Sequence, residues 1–226
     1  MESISVIMAV KHPAPHLQSA LDSIRSQTVM PKEVIVVESG PPLTPSSFPT
    51  GFPPVSRFPQ SGSGLAQAWN QALAAVGEEW IAWLDSDDIW SPKALAAHTE
   101  ELSTVPDTEF CAGRVRFFLD GDTPPANFRP ELLHGSHRAF MPGTSLVSAQ
   151  AATQVGPFRE DLGVATDIEW FARLRDTVPF TETEQVVLHK RVHAANLSYE
   201  SASSGDYSAA LIATARSRLR NRRGEV

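Results

Sequence analysis

Three carboxylates end an apolar run near the middle of this chain. The segment WIAWLDSDD, residues 80–88, is apolar over a strand's length and then delivers Asp85, Asp87 and Asp88. A buried strand that carries acids at its carboxyl end is where an α/β sheet places a ligand site. Carboxylates held that close repel one another unless a cation sits among them. A hard divalent metal takes such oxygens and commonly keeps phosphate oxygens as further ligands. The chemistry suggested is a metal-bridged diphosphate. The plain alternative is a solvated strand-to-helix turn, with an Asp capping a helix that begins at Pro92.

Further polar groups lie downstream. Asp161 and Asp167 flank a short loop, and Asp167 opens a helix, where the macrodipole favours a carboxylate. A carboxylate held near a hydroxyl is also a general base. His189 and His193 sit by the last strand, and neutral imidazole joins carboxylates around divalent ions. Gly62 and Gly64 precede a helix and could present free backbone N–H groups to phosphate, although their pattern is neither a dinucleotide fingerprint nor a P-loop.

The elements that must hold these groups alternate. Residues 3–10 (SISVIMAV) and 33–37 (EVIVV) are short β-branched runs of the kind that form buried strands. Leu17, Leu21 and Ile24 recur at helical spacing up to about residue 27. A proline-rich loop follows residue 40, with a short strand expected over 55–58. Leu65, Ala68, Trp69, Ala72, Leu73 and Val76 mark a second helix, and a third is expected from Pro92 to about residue 102. Strand, helix, strand, helix, strand, helix predicts a doubly wound, mostly parallel central sheet with helices on both faces. In the second half, strands are expected over 110–119, 144–147 and 183–192, and a helix over 166–176. The stretch 124–140 reads as irregular, and a helical tail begins at Tyr207.

Composition sets outer bounds. The chain has 226 residues, 42% hydrophobic and 20% charged, which is ordinary globular material. A net charge of -7 argues against nucleic acid as a partner. One cysteine, Cys111, excludes an intramolecular disulfide framework and a cysteine-based zinc site, and suits a cytoplasmic setting. No stretch is long and apolar enough to read as a membrane span. The tail carries Arg216, Arg218, Arg220, Arg222 and Arg223. They read either as cations complementing a helix C-terminus or as a peripheral contact with an anionic membrane.

Four segments in order resemble family 2 glycosyltransferases of the GT-A fold. They are residues 5–37, with SVIMAV, LDSIRSQT and EVIVV; residues 64–92, with GLAQAWN and WLDSDD; residues 156–173, with GPF and TDIEWFAR; and residues 190–198, KRVHAANLS. The resemblance implies one GT-A domain over 1–205, split into a nucleotide-binding half (1–105) and an acceptor half (106–205), followed by the basic tail 206–226. It implies that Ala9, Val10 and Glu38 meet the nucleotide base, and that Asp85 faces the ribose. Gly64, Asn70 and Ser86 would complete the nucleotide-sugar set. Asp87 and His193 would hold Mn²⁺ or Mg²⁺, and Asp167 would be the catalytic base. Trp170 and Asp161 would line the acceptor side. The implied reaction is inverting transfer from a nucleotide diphosphate sugar, with a UDP-sugar as the expected donor, to an acceptor hydroxyl of unassigned class. The chain departs from the family where Pro-Thr-Tyr-Asn is usual, since residues 9–12 read AVKH. Glu38 is one methylene longer than the usual Asp, Trp69 stands where Arg is common, and Thr166 replaces an acid.

Two rival readings stay open on the sequence. One is a relic of the same fold that binds nucleotide sugar without turnover. The other is a haloacid-dehalogenase-like phosphatase, whose nucleophile would be Asp85. That motif normally lies on the first strand, and two strands precede it here.

Overall fold

The computed structural model describes residues 3–196. The expected tail helix and its arginines lie outside them. In chain order the elements are β1 (Ile4–Lys11), α1 (Leu17–Arg25), β2 (Glu33–Ser39), β3 (Val55–Pro59), α2 (Leu65–Leu73), β4 (Trp80–Trp83), β5 (Ile89–Trp90), α3 (Ala94–Thr104), β6 (Phe110–Leu119), β7 (His137–Arg138), β8 (Ser145–Ser148), α4 (Ala149–Val155), α5 (Thr166–Thr177) and β9 (Phe180–Val192).

All strands join one sheet in the order β3-β2-β1-β4-β8-β6-β9-β5, with β7 added to β6. The first half of the sheet, β3-β2-β1-β4, is wholly parallel. β8 runs antiparallel to both β4 and β6, whereas β6 and β9 run parallel. The alternation of β1 sorts the core into two layers. Ile4, Val6, Met8 and Val10 pack with α1 and α3 on one face, and Ile7 packs with α2, α4 and α5 on the other. Period-2 side chains make this division unavoidable once both faces are covered.

The chain reverses its direction of travel across the sheet at β1, which lies between β2 and β4. The carboxyl ends of β1 and β4 therefore flank a topological switch point, the crevice where such sheets bind ligands. Long-range register maintains the second half. Gly113 lies at a β-bulge between β6 and β9, and a Cβ there would approach Val187 to 2.5 Å, so only glycine fits.

Three local expectations change. The third helix begins at Ala94, not Pro92, because residues 89–90 first pair with β9 as β5. Residues 149–155 form a helix that the sequence pattern does not suggest; Ser148 Oγ caps it by accepting from the Ala151 N–H (2.9 Å). The stretch 124–140 is not wholly irregular, since His137 and Arg138 pair with β6. No helix among the described residues is long and apolar enough to cross a membrane.

Candidate active site

β4 ends at Trp83, and the chain turns at once, the Asp88 N–H donating to the Asp85 carbonyl (3.2 Å). This turn gathers Asp85, Asp87 and Asp88, whose ligand oxygens all lie within 4.8 Å of one another. The three acids then part in role. Asp88 is buried, and both of its oxygens are engaged. Lys190 Nζ donates to Oδ2 (2.8 Å) and the Arg191 N–H donates to Oδ1 (2.8 Å). It straps the turn to β9, and it is neither a helix cap nor an open ligand; α3 has no side-chain cap at all. Asp85 stays half-buried, 3.6 Å from Lys190 Nζ. Asp87 Oδ2 lies 3.0 Å from His193 Nε2 and accepts from Asn196 Nδ2 (3.1 Å), and its carbonyl accepts from Arg191 Nε (2.9 Å).

Electrostatics follows from burial and crowding. Burial pushes Asp85 up, Lys190 opposes that, and the Asp87 charge adds to it. Asp88 is pushed up to about 7 by burial, against Lys190. Burial alone would lower Lys190, but Asp88, Asp85 and Asp87 overrule it and hold the ammonium protonated. One ammonium among three carboxylates leaves the turn short of positive charge, which suits a divalent cation. The oxygens of Asp85 and Asp87 are the carboxylate ligands least tied up by the protein, and His193 Nε2 lies beside them at 3.0 Å from Asp87 Oδ2. That set fits a hard dication such as Mg²⁺ or Mn²⁺.

Asp167 stands in the first turn of α5 and remains half-buried, its Oδ1 accepting from the Ile168 N–H (2.7 Å). Its pKa is raised to about 6, chiefly by burial; the Ile168 N–H and Lys190 oppose the rise, and the Asp85 charge adds to it. Asp167 thus feels the charges of the acidic turn across the crevice. The start of α5 is held by Arg173, which bridges Glu169 (2.8 Å) and the Pro157 carbonyl (2.8 Å).

On the nucleotide side, β1 and β2 pair in register at Val10 and Glu38. Glu38 is 6% exposed; its Oε2 accepts from the Leu43 N–H (2.9 Å), while Oε1 is buried with no partner. An orphaned buried acceptor is costly unless a ligand donor meets it. Ala9 is partly buried, and Val10 packs its side chain into the α1/α3 core, so only its main chain can face a ligand. Gly64 opens α2 at φ +87°, a conformation that favours glycine, and a Cβ there would meet no atom within 4 Å. Ser86 is half-buried in the acidic turn.

A family model described as Glycosyl transferase family 2 matches residues 5–153. The chain belongs to glycosyltransferase family 2. An uncharacterised glycosyltransferase of Rickettsia felis is 24% identical over 207 residues, covering 84% of this chain and 34% of that protein. One of Nostoc is 31% identical over 111 residues, covering 45% of this chain and 33% of that protein. With a Rickettsia typhi relative covered to 64%, the chain spans from about a third to just under two thirds of the length of these curated relatives. Among solved structures, the mannosyltransferase PcManGT of Pyrobaculum calidifontis, in complex with GDP-Man and Mn²⁺, superposes with a TM-score of 0.68. It is 19% identical, with 97% of this chain and 64% of that chain covered. S. aureus TarS 1–349 in complex with UDP-GlcNAc gives 0.65 at 15% identity, over 86% of this chain and 60% of that one. These likenesses establish the GT-A fold. The match to the family model stops short of Asp167, Lys190 and His193.

Within this family-2 fold, three expected site residues are engaged by the protein itself. Trp170 is 0% exposed; it stacks on Phe158 (4.6 Å between centroids) and donates from Nε1 to the Gly156 carbonyl (2.7 Å). It is core and cannot line an acceptor pocket. We expect Trp170→Phe to lower stability by about 1–3 kcal/mol, through a lost buried hydrogen bond, and to leave acceptor KM unchanged. Denaturant unfolding beside steady-state kinetics checks both. Asn70 is tied to the segment that follows α4. Its amide closes a loop on Phe158, donating to the Phe158 carbonyl (2.9 Å) and accepting from its N–H (2.8 Å). Asp161 is exposed and paired with Arg159 through two hydrogen bonds (3.0 and 2.6 Å). His189 likewise lies apart from the acidic turn, 3.1 Å from Ser91 Oγ.

The residues that sequence reasoning misses are Lys190, Arg191 and Asn196. All lie in the KRVHAANLS segment, where only His193 stands out by residue type. Strand alternation does not single them out, because the adjacent Lys190 and Arg191 both reach the acidic turn and Asn196 lies beyond β9.

Proposed function

We propose that this chain transfers a sugar from a nucleotide diphosphate sugar to an acceptor hydroxyl with inversion at the anomeric carbon. The observation that carries this reading is one carboxylate, Asp167, with pKa raised to about 6, across from the Asp85/Asp87 turn. A base poised near neutrality is mostly ionised at pH 7 yet still basic enough to accept a proton in flight. Asp167 takes the proton of the acceptor hydroxyl as its oxygen attacks the anomeric carbon. The bond from that carbon to the diphosphate oxygen breaks, and its electron pair leaves with the diphosphate. Attack and departure lie on opposite faces, so an α-linked donor gives a β-linked product.

Asp85, Asp87 and His193 are the residues that would hold Mn²⁺ or Mg²⁺. The ion would supply Lewis-acid stabilisation of the charge gathering on the leaving diphosphate. Glu38 Oε1 fits as acceptor for a base N–H, which supports a UDP-sugar as donor. Gly64 at the start of α2 and Ser86 in the acidic turn are the remaining donor contacts in this reading. Retention of an open, ordered base favours turnover over a relic that only binds.

A thermal-shift series with nucleoside diphosphates tests the donor site. Binding to the folded state raises apparent stability by mass action. One diphosphate, UDP on this reading, is expected to stabilise the chain in Mn²⁺ but not in EDTA. Asp87→Ala should lose that metal-dependent part. An Asp87→Ala protein that still shows it would count against Asp87 as ligand.

A further inference from the structure

We propose that Asp120 and His16 are positioning residues for the metal-holding pair Asp87 and His193, a role that rests on the donor-site reading above. Asp120 follows the end of β6, and its N–H donates to the Val192 carbonyl of β9 (3.0 Å), which fixes its place. Two arms leave its carboxylate, and both finish on Asp87. In the first, Arg191 Nη1 donates to Asp120 Oδ1 (3.1 Å), while Nε of the same guanidinium donates to the Asp87 carbonyl (2.9 Å). The Phe118 ring backs that guanidinium at 4.8 Å. In the second, His16 Nε2 lies 3.2 Å from Asp120 Oδ2, and the His16 ring packs on the His193 ring at 5.2 Å between centroids. His193 Nε2 then meets Asp87 Oδ2.

The circuit ties three distant pieces of chain together: the β1–α1 loop, the end of β6 and the end of β9. A salt bridge open to water contributes little by itself. Here only Asp120 is well exposed, at 39% of its side chain, against 10% for Arg191, 20% for His16 and 17% for His193. Groups behind metal ligands set ligand orientation, and their loss typically weakens metal affinity about 10–100-fold. Asn196 meets the other end of this arm, its Nδ2 3.1 Å from His193 Nε2 and its Oδ1 accepting from the His193 N–H (2.7 Å), while His16 is the ring packed on the His193 ring.

The test titrates Mn²⁺ into the full chain, with and without UDP, and follows the free ion by electron paramagnetic resonance. His16→Phe keeps the ring contact and loses the Asp120 bond; Asp120→Asn weakens both arms. Each is expected to raise the Mn²⁺ Kd about tenfold while metal-free melting stays at the parent value. Asp120→Glu should recover part of the loss. Arg138→Gln removes a more exposed ion pair with Glu184 (2.9 Å) on the same sheet and should leave Mn²⁺ affinity unchanged. Should Asp120→Asn lower metal-free melting, His16→Phe decides. Variant Kd values within twofold of the parent overturn the proposal. A parent chain that binds no Mn²⁺ overturns the metal reading, and this one with it.

Discussion

Asp167→Asn is expected to lower kcat for sugar transfer by ~10²–10⁴-fold, the usual contribution of a positioned base, and to leave donor affinity within about twofold. Asn keeps an oxygen for the Ile168 N–H, so the start of α5 has no reason to move. Loss of donor binding together with kcat would show instead that Asp167 supports the site's structure. The parent's kcat/KM should fall tenfold per pH unit below about 6, where the carboxylate becomes protonated. Stability should move the other way. Because the folded pKa of Asp167 is raised, the folded chain resists ionisation more than the unfolded chain does. The parent therefore loses stability as pH rises from about 4 to about 6, and it stays lower above that range. Asn carries no such charge. Asp167→Asn should accordingly melt higher than the parent at pH 8, by about 1–3 kcal/mol, and match it near pH 4. Equal stability at both pH values would argue that the carboxylate is not strained by burial.

Lys190→Met should be the most destabilising single change at the site, by about 3–5 kcal/mol at pH 8. Removing one partner of a buried pair leaves the other charge uncompensated. Asp88 is the residue left behind, 1% exposed, with only the Arg191 N–H to meet its charge. Asp85 and Asp87 would then face it with no ammonium between them. The sign with pH follows from burial, which already raises Asp88 to about 7 in the parent. Without Lys190 that pKa climbs further, so the variant is sound near pH 4 and loses stability as pH rises from there up to the new value. Asp88→Asn added to Lys190→Met should recover much of the loss, because it removes the orphaned charge. Mn²⁺ should stabilise the single variant more than the parent, by replacing the missing positive charge. Urea unfolding at pH 5 and pH 8 checks all of this; a loss below about 1 kcal/mol at pH 8 would mean that water reaches Asp88.

Local pattern is enough for some parts of this protein. β6 is read from sequence with its observed ends, Phe110 to Leu119, because a ten-residue run bounded by a turn signal specifies itself. The placement of Asp85 and Asp87 at the end of a buried strand is legible for the same reason: an apolar run stops, and acids begin. Asp167 at a helix start is equally local. Partnerships are not. Asp88 reads as one more acid of the turn, and only β9, 102 residues on, reveals Lys190 as its counter-ion. Trp170 is expected on the acceptor side, one turn beyond Asp167, and the packed Trp83, Phe158 and Phe171 rings make it core. Asn70 is claimed by Phe158, 88 residues away. β5 is two residues long and exists only because β9 lies beside it. Periodicity and turn chemistry act over a few residues, so they are written in the local sequence. Which buried polar group meets which is decided by the closing of long loops, when every desolvated donor and acceptor must find a partner among those the fold brings near.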